Sequence, residues 1–172
     1  MHRSVQRWPM IVTVCLLITA CTPTLNWRAV RLDALSAWLP CKPDQATRPF
    51  LLEGATLSIG MQGCEAGGGV FAISRTPVPN TLSAAGVIGP WKQSTLRALA
   101  NAEVKALAFK PPSNASMEST ALQAVGRGPD GRPLEAQLVW FVAGNVVYHL
   151  AVYAEALTPA MTDPFFNELR LQ

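Results

Sequence analysis

The longest stretches of this chain carry apolar residues at every second position, the signature of half-buried strands. Leu35, Ala37 and Leu39 alternate and predict a strand that ends at Pro40 and Pro43. Phe50–Leu52 and Ala55–Cys64 predict two more strands around a Glu53-Gly54 turn, with Leu57, Ile59 and Met61 on one face. Gly67-Gly68-Gly69 predicts a flexible turn, and Val70–Ser74 a returning strand. The pattern then changes. Pro77–Pro90 is punctuated by proline and glycine and predicts a loop or a short helix, whereas Trp91–Ala100 has helical spacing, with Trp91, Thr95, Leu96 and Leu99 near one face. Val104–Phe109 reads as a strand and Lys110-Pro111-Pro112-Ser113-Asn114 as a break.

The C-terminal third carries the strongest strand signals. Ala121–Gly126 leads into a Pro129-Asp130-Gly131 turn, then Leu134–Val142, Gly144-Asn145 and Val146–Tyr153 predict a hairpin. With a two-residue turn at Gly144-Asn145, Trp140 pairs with His149 and Leu138 with Ala151, while Phe141 pairs with Tyr148 on the opposite side. Both faces of that hairpin are apolar, so it belongs inside a sheet with a layer on either side. Pro164–Leu169 predicts a terminal helix capped by Thr162 or Asp163 and buried through Phe165, Phe166 and Leu169. The expected fold is α+β: one mainly antiparallel sheet with a helix inserted midway and another at the end.

The N-terminus has a separate pattern. Arg3 and Arg7 precede an apolar run, Met10–Ala20, of 11 residues. A membrane span needs about 20 apolar residues, so the run is short for a transmembrane helix and suits a cleaved export signal. Ile18-Thr19-Ala20-Cys21 resembles the lipobox of bacterial lipoproteins, in which the cysteine thiol receives a diacylglyceryl group and the chain is cut before it. That resemblance implies a signal peptide over 1–20, a lipidated N-terminus and tether over 21–33, and a single α+β domain over 34–172. It places the chain in the cell envelope, held to a membrane through lipid on Cys21, at the periplasmic face of the outer membrane. Trp27, in the tether, either packs on the domain or rests among lipid headgroups.

Removing the first 20 of 172 residues leaves 152, a single-domain length. Removing Arg3 and Arg7 from 14 basic side chains leaves 12 against 11 acidic ones, scattered along the chain. A nucleic-acid face needs clustered Lys and Arg, and none is present. Beyond Cys21 the cysteines are Cys41 and Cys64, an even pair in an oxidising setting, for which a disulfide is expected. Closing such a loop is worth roughly 3 kcal/mol in the chain-entropy model. Free buried thiols and a metal site are the competing readings; the cysteines lack CxxC spacing, and His149 is the one histidine after the signal.

Several segments together resemble a group of small proteobacterial lipoproteins without an assigned activity. They are the lipobox, Asn26-Trp27-Arg28, Leu39-Pro40-Cys41-Lys42-Pro43, Gly63-Cys64-Glu65-Ala66-Gly67-Gly68 and Gly126-Arg127-Gly128-Pro129-Asp130-Gly131. The order of elements is loosely similar to PsbP-like domains, α-β-α sandwiches that act as binding or assembly factors. These resemblances imply a location and a layered fold, and fold alone does not transmit function.

Candidate chemistry is sparse. His149 is expected in the hairpin opposite Trp140, and no GxSxG elbow accompanies it. Glu53, Glu65, Glu118, Glu135 and Asp163 show no local pairing for acid/base work. The glycines at 67–69 lack the GxxxxGK[ST] context of a phosphate loop, and Glu65 beside them would repel phosphate. Arg127, Asp130 and Arg132 surround a turn and could grip an anion, although turn chemistry accounts for them. No cofactor and no metal site are expected. The sequence favours a non-catalytic envelope lipoprotein that binds a protein or another envelope component. The alternative is a hydrolase or small-ligand-binding protein whose site is assembled from distant residues.

Overall fold

The large sheet of this computed structural model is built from two antiparallel meanders that meet in its middle. The structure describes residues 24–52, 55–116 and 118–172. The expected signal peptide, Cys21 and the Glu53-Gly54 turn lie outside the described residues. Strands β3 (Asp44–Leu52), β4 (Ala55–Ala66) and β5 (Gly69–Pro77) form the first meander. Helix α1 (Ala84–Arg97) then carries the chain across the sheet to its far edge. Strands β6 (Ala100–Ala106), β7 (Ser119–Arg127), β8 (Pro133–Ala143) and β9 (Val146–Ala154) return toward the centre. The resulting order is β3-β4-β5-β9-β8-β7-β6, with every neighbouring pair antiparallel.

A second, three-stranded sheet corrects the single-sheet expectation. Strand β1 (Arg28–Leu32) pairs with β2 (Leu35–Leu39), and β2 pairs on its other side with β10 (Arg170–Leu171). The segment expected to be tether is therefore partly strand. Arg28, Val30 and Leu32 alternate inward against Ala29 and Arg31, a signal blurred by its two arginines and its five-residue length. The domain thus begins before residue 34. The Asn26 N–H donates to the Pro40 carbonyl at 2.8 Å, and Trp27 meets Phe71 edge-on at 5.9 Å, so Trp27 packs on the domain.

The two faces of the large sheet bury separate cores. On one face the small sheet and helix α2 (Pro159–Asn167) cover Phe71, Ile73, Phe141, Tyr148 and Leu150 with Leu35, Leu39 and Phe165. On the other face α1 lays Val87, Ile88 and Trp91 over Leu57, Ile59, Trp140 and Val147. Each fully buried side chain of this kind contributes about 1.5–3 kcal/mol relative to exposure. The predicted hairpin register is observed: Trp140 faces His149, Leu138 faces Ala151, and Phe141 faces Tyr148.

The bounds of α1, α2 and β6 differ from the expectation, each for a local reason. Helix α1 starts at Ala84, where the Ser83 hydroxyl accepts the Gly86 N–H at 3.1 Å, and it continues through Pro90 because Val87, Ile88 and Trp91 are buried. Helix α2 starts at Pro159, with Thr158 rather than Thr162 or Asp163 at its N-cap, so Pro164 lies inside it. A first-turn proline loses no helical hydrogen bond, which makes Pro159 the natural start. Strand β6 begins at Ala100 and stops at Ala106, and Phe109 folds back beside Phe141 at 6.1 Å.

Cys41 and Cys64 form a disulfide with Cα atoms 6.0 Å apart. Cys41 follows β2 of the small sheet and Cys64 lies in β4 of the large one. The bridge therefore staples layer to layer. Gln62, buried two residues before Cys64 in β4, adds a second tie by donating to the Arg31 carbonyl at 2.9 Å. Replacing both cysteines by Ala is expected to cost about 2–5 kcal/mol, the usual range for a native bridge in a small exported domain. Denaturant melts of the oxidised wild type and the double variant measure that loss. Equal midpoints would place the layer-to-layer restraint elsewhere.

Candidate functional site

A concavity forms where three connections converge at one end of the large sheet. It is a cleft of about 620 Å³, lined by Gly68 of the β4–β5 turn, the β7–β8 connection from Gly128 to Pro133, and Tyr153 to Glu155 at the end of β9. Its floor is apolar: Val70, Leu134 and Tyr153 present side chains there, with Val70 directly opposite Tyr153 in the register. Strand alternation places these residues on the α1 side of the sheet, beyond the part that the helix covers. Val70 is 43% exposed, one of few large apolar side chains so open. Burial pushes the Tyr153 phenol up to about 12, so it stays a neutral hydroxyl at any ordinary pH.

Of the cluster singled out in the sequence, Asp130 and Arg132 line this cleft, while Arg127 braces the same turn. Their polar atoms are engaged in holding the turn. Asp130 accepts the Arg132 backbone N–H at 3.1 Å and the Arg132 Nε at 2.6 Å, while Arg127 Nη1 donates to the Gly131 carbonyl at 2.8 Å. The Arg132 backbone and side-chain hydrogen bonds hold the Asp130 carboxyl below its ordinary value. Gly131 has φ +78°, the left-handed conformation that glycine reaches without strain. Turn chemistry thus accounts for the cluster, and the cleft beside it was not legible in the local sequence. Val70, Leu134, Tyr153 and Glu155 lie on three different strands or their ends, and each reads alone as an ordinary strand residue.

His149 lies elsewhere, sealed beneath α1. Its ring stacks on Trp140 at 4.2 Å and 7°, and Trp91 of α1 closes over it at 5.3 Å. Nδ1 lies 3.0 Å from the Val139 carbonyl, which can only accept, so Nδ1 carries the proton of the neutral ring. Burial drives its pKa down to about 4, and the Val139 hydrogen bond opposes that shift only in part. Ser74 faces it across the β5–β9 pair, so a hydroxyl is near; Glu53 lies outside the described residues, and Glu65, Glu135 and Asp163 are not brought there. Glu135 accepts the Leu157 N–H at 3.0 Å, Glu65 stands opposite Val70, and Asp163 is in α2 beside Thr162. Among the described residues no group of three or more His, Cys, Asp or Glu side chains is placed to hold a metal ion.

No family model matches this chain, and no curated protein matches it. Among solved structures, the chain is similar to a Pseudomonas aeruginosa protein of unknown function, PA94, with 16% identity. That alignment covers 80% of this chain and 86% of the other, with a TM-score of 0.42.

Two buried polar groups make measurable demands, the first being His149. Its folded pKa lies below the unfolded value of about 6.5, so the stability it permits is complete above that pH and is lost as pH falls toward 4. The loss over that window is on the order of 3 kcal/mol. Denaturant melts between pH 7 and 4.5 should show this slope in the wild type and a flatter one in His149→Gln; identical slopes would mean that His149 protonates without cost. Thr76, fully buried, has a hydroxyl with no hydrogen-bond partner among the described residues. Thr76→Val is expected to leave stability unchanged or raise it by about 1 kcal/mol. A fall in the melting temperature would reveal a partner for that hydroxyl.

Proposed function

We propose that this protein is an envelope lipoprotein, cut before Cys21, held to a membrane by lipid on that cysteine, and acting as a non-catalytic binding or assembly factor. The observation that carries this reading is the N-terminal pattern: basic Arg3 and Arg7, the apolar Met10–Ala20, and Ile18-Thr19-Ala20-Cys21. The Cys41–Cys64 bridge supports it independently, because structural disulfides belong to oxidising compartments such as the periplasm.

Binding rather than catalysis is favoured by what the concavities offer. The cleft has an apolar floor and a wall whose charges are committed to one another, while the histidine best suited to proton transfer is neutral and roofed by Trp91. A general base works when its pKa lies near the working pH and when it can reach substrate. His149 meets neither condition. The partner is another envelope component, and the membrane is the periplasmic face of the outer membrane.

Replacing Cys21 by Ser tests the anchor directly. The variant is expected to accumulate as uncut precursor or as unlipidated soluble material, and to incorporate no labelled lipid. Wild-type processing together with undiminished lipid incorporation in the variant would overturn the proposal.

A further inference from the structure

We infer that the end of the domain bearing the Gly67-Gly68 turn, the Gly128–Arg132 connection and the cleft between them lies against the bilayer, with glycerophospholipid as the surface it contacts. This deepens the proposed anchoring through Cys21 and rests on it.

The first ground is the place where the chain enters the domain. Leu25 sits on the β4–β5 turn so closely that a Cβ on Gly67 would come 2.8 Å from Leu25 Cδ2 and 3.6 Å from Thr24 Cγ2. Gly67 has φ +59° there, so the absence of a side chain serves both the turn and this contact. The Asn26–Pro40 hydrogen bond and the Trp27–Phe71 contact hold the next two residues. The entry point is therefore part of the packed domain and sits at the cleft end.

The second ground is length. From Cys21 to Thr24 the chain reaches at most roughly 10 Å when fully extended. Along the sheet, Gly69 pairs with Ala154 at this end and Pro77 with Val146 at the other. Those eight residue steps separate the two ends by roughly 27 Å. A tether that short keeps the Gly67 end beside its lipid and cannot present the Gly144-Asn145 end in its place.

The third ground is surface chemistry. The cleft at this end offers Val70, Leu134 and Tyr153 with Pro129 and Pro133 at its lip, an apolar surface rimmed by the guanidinium of Arg132. A tyrosine with an apolar body and a neutral hydroxyl suits the headgroup boundary. Asp130 and Glu155 against Arg132 give the cleft lining no net basic charge, so the contact does not depend on anionic lipid.

The test uses the chain from Cys21 onward, with Cys21 coupled through its thiol to a maleimide lipid in nanodiscs of phosphatidylethanolamine and phosphatidylglycerol. The other two cysteines are bridged, which leaves Cys21 as the reactive thiol. A gadolinium chelate on a fraction of the headgroups then relaxes amide protons according to their distance from the surface. With the two ends roughly 27 Å apart, amides of Gly68, Gly131 and Glu155 should relax roughly tenfold or more faster than those of Gly144 and Asn145. Equal rates at both ends would mean that the domain lies on its side, and faster relaxation at Gly144 would mean that it is inverted; either overturns the inference. Val70→Asp, at an already exposed position, should reduce the enhancement at Gly131 and Glu155 without changing the spectrum of the lipid-free protein. An unaltered enhancement would remove the cleft from the contact. Because coupling is done in vitro, this outcome is separate from the anchoring proposal, which labelled-lipid incorporation at Cys21 in cells decides.

Discussion

The pairing of β5 with β9 is the interaction on which the rest of this molecule depends. It joins Gly69–Pro77 to Val146–Ala154 over nine register positions and merges two meanders into one sheet. Each meander alone would have a strand edge of unpaired backbone groups lined by Phe71 and Ile73 or by Leu150 and Val152. Once joined, those side chains become the middle of a surface wide enough for a layer on both faces. Helix α1 follows from the same constraint. A chain leaving β5 cannot continue into β9's place, so it crosses to the far edge and fills the return journey with Val87, Ile88 and Trp91 against the sheet.

The bridge between Cys41 and Cys64 solves a different problem. The small sheet has only two full strands and a third of two residues, too little to be stable alone. Its hold on the large sheet comes from Leu35, Ala37 and Leu39, every one fully buried. The disulfide, two residues beyond Leu39, and the Gln62–Arg31 hydrogen bond add a covalent and a polar tie between the same two sheets.

Legibility in the sequence tracked the reach of each interaction. The β8–β9 hairpin was readable to the individual residue pair, because a two-residue turn and alternating bulky side chains determine register locally. The layer on each side of it was also readable, since Trp140 and Phe141 are adjacent and both apolar. What escaped was anything that needed a distant partner. Residues Asp44–Thr47 form an edge strand whose side chains are all exposed, so no alternation marks it. Arg28–Leu32 and Arg170–Leu171 become strands only because β2 lies between them. The cysteine pair was inferred from parity and compartment, yet its role in joining two sheets depended on a topology that spacing does not encode. The cleft was illegible for the same reason. Pro129-Asp130-Gly131 read as a turn and is one, but its position over Tyr153 and Val70 is a property of the assembled sheet.

The third strand of the small sheet has a consequence for how the chain is made. Arg170 pairs with Ser36 and Leu171 with Leu35, and the Gln172 N–H donates to the Ala34 carbonyl at 3.1 Å. The strand that begins at Leu35 is therefore synthesised more than 130 residues before its partner exists. Until residues 170–172 are in place, Leu35 and Leu39 lie on a sheet with an open edge. In that interval the nascent domain must be kept from pairing that edge with a neighbour.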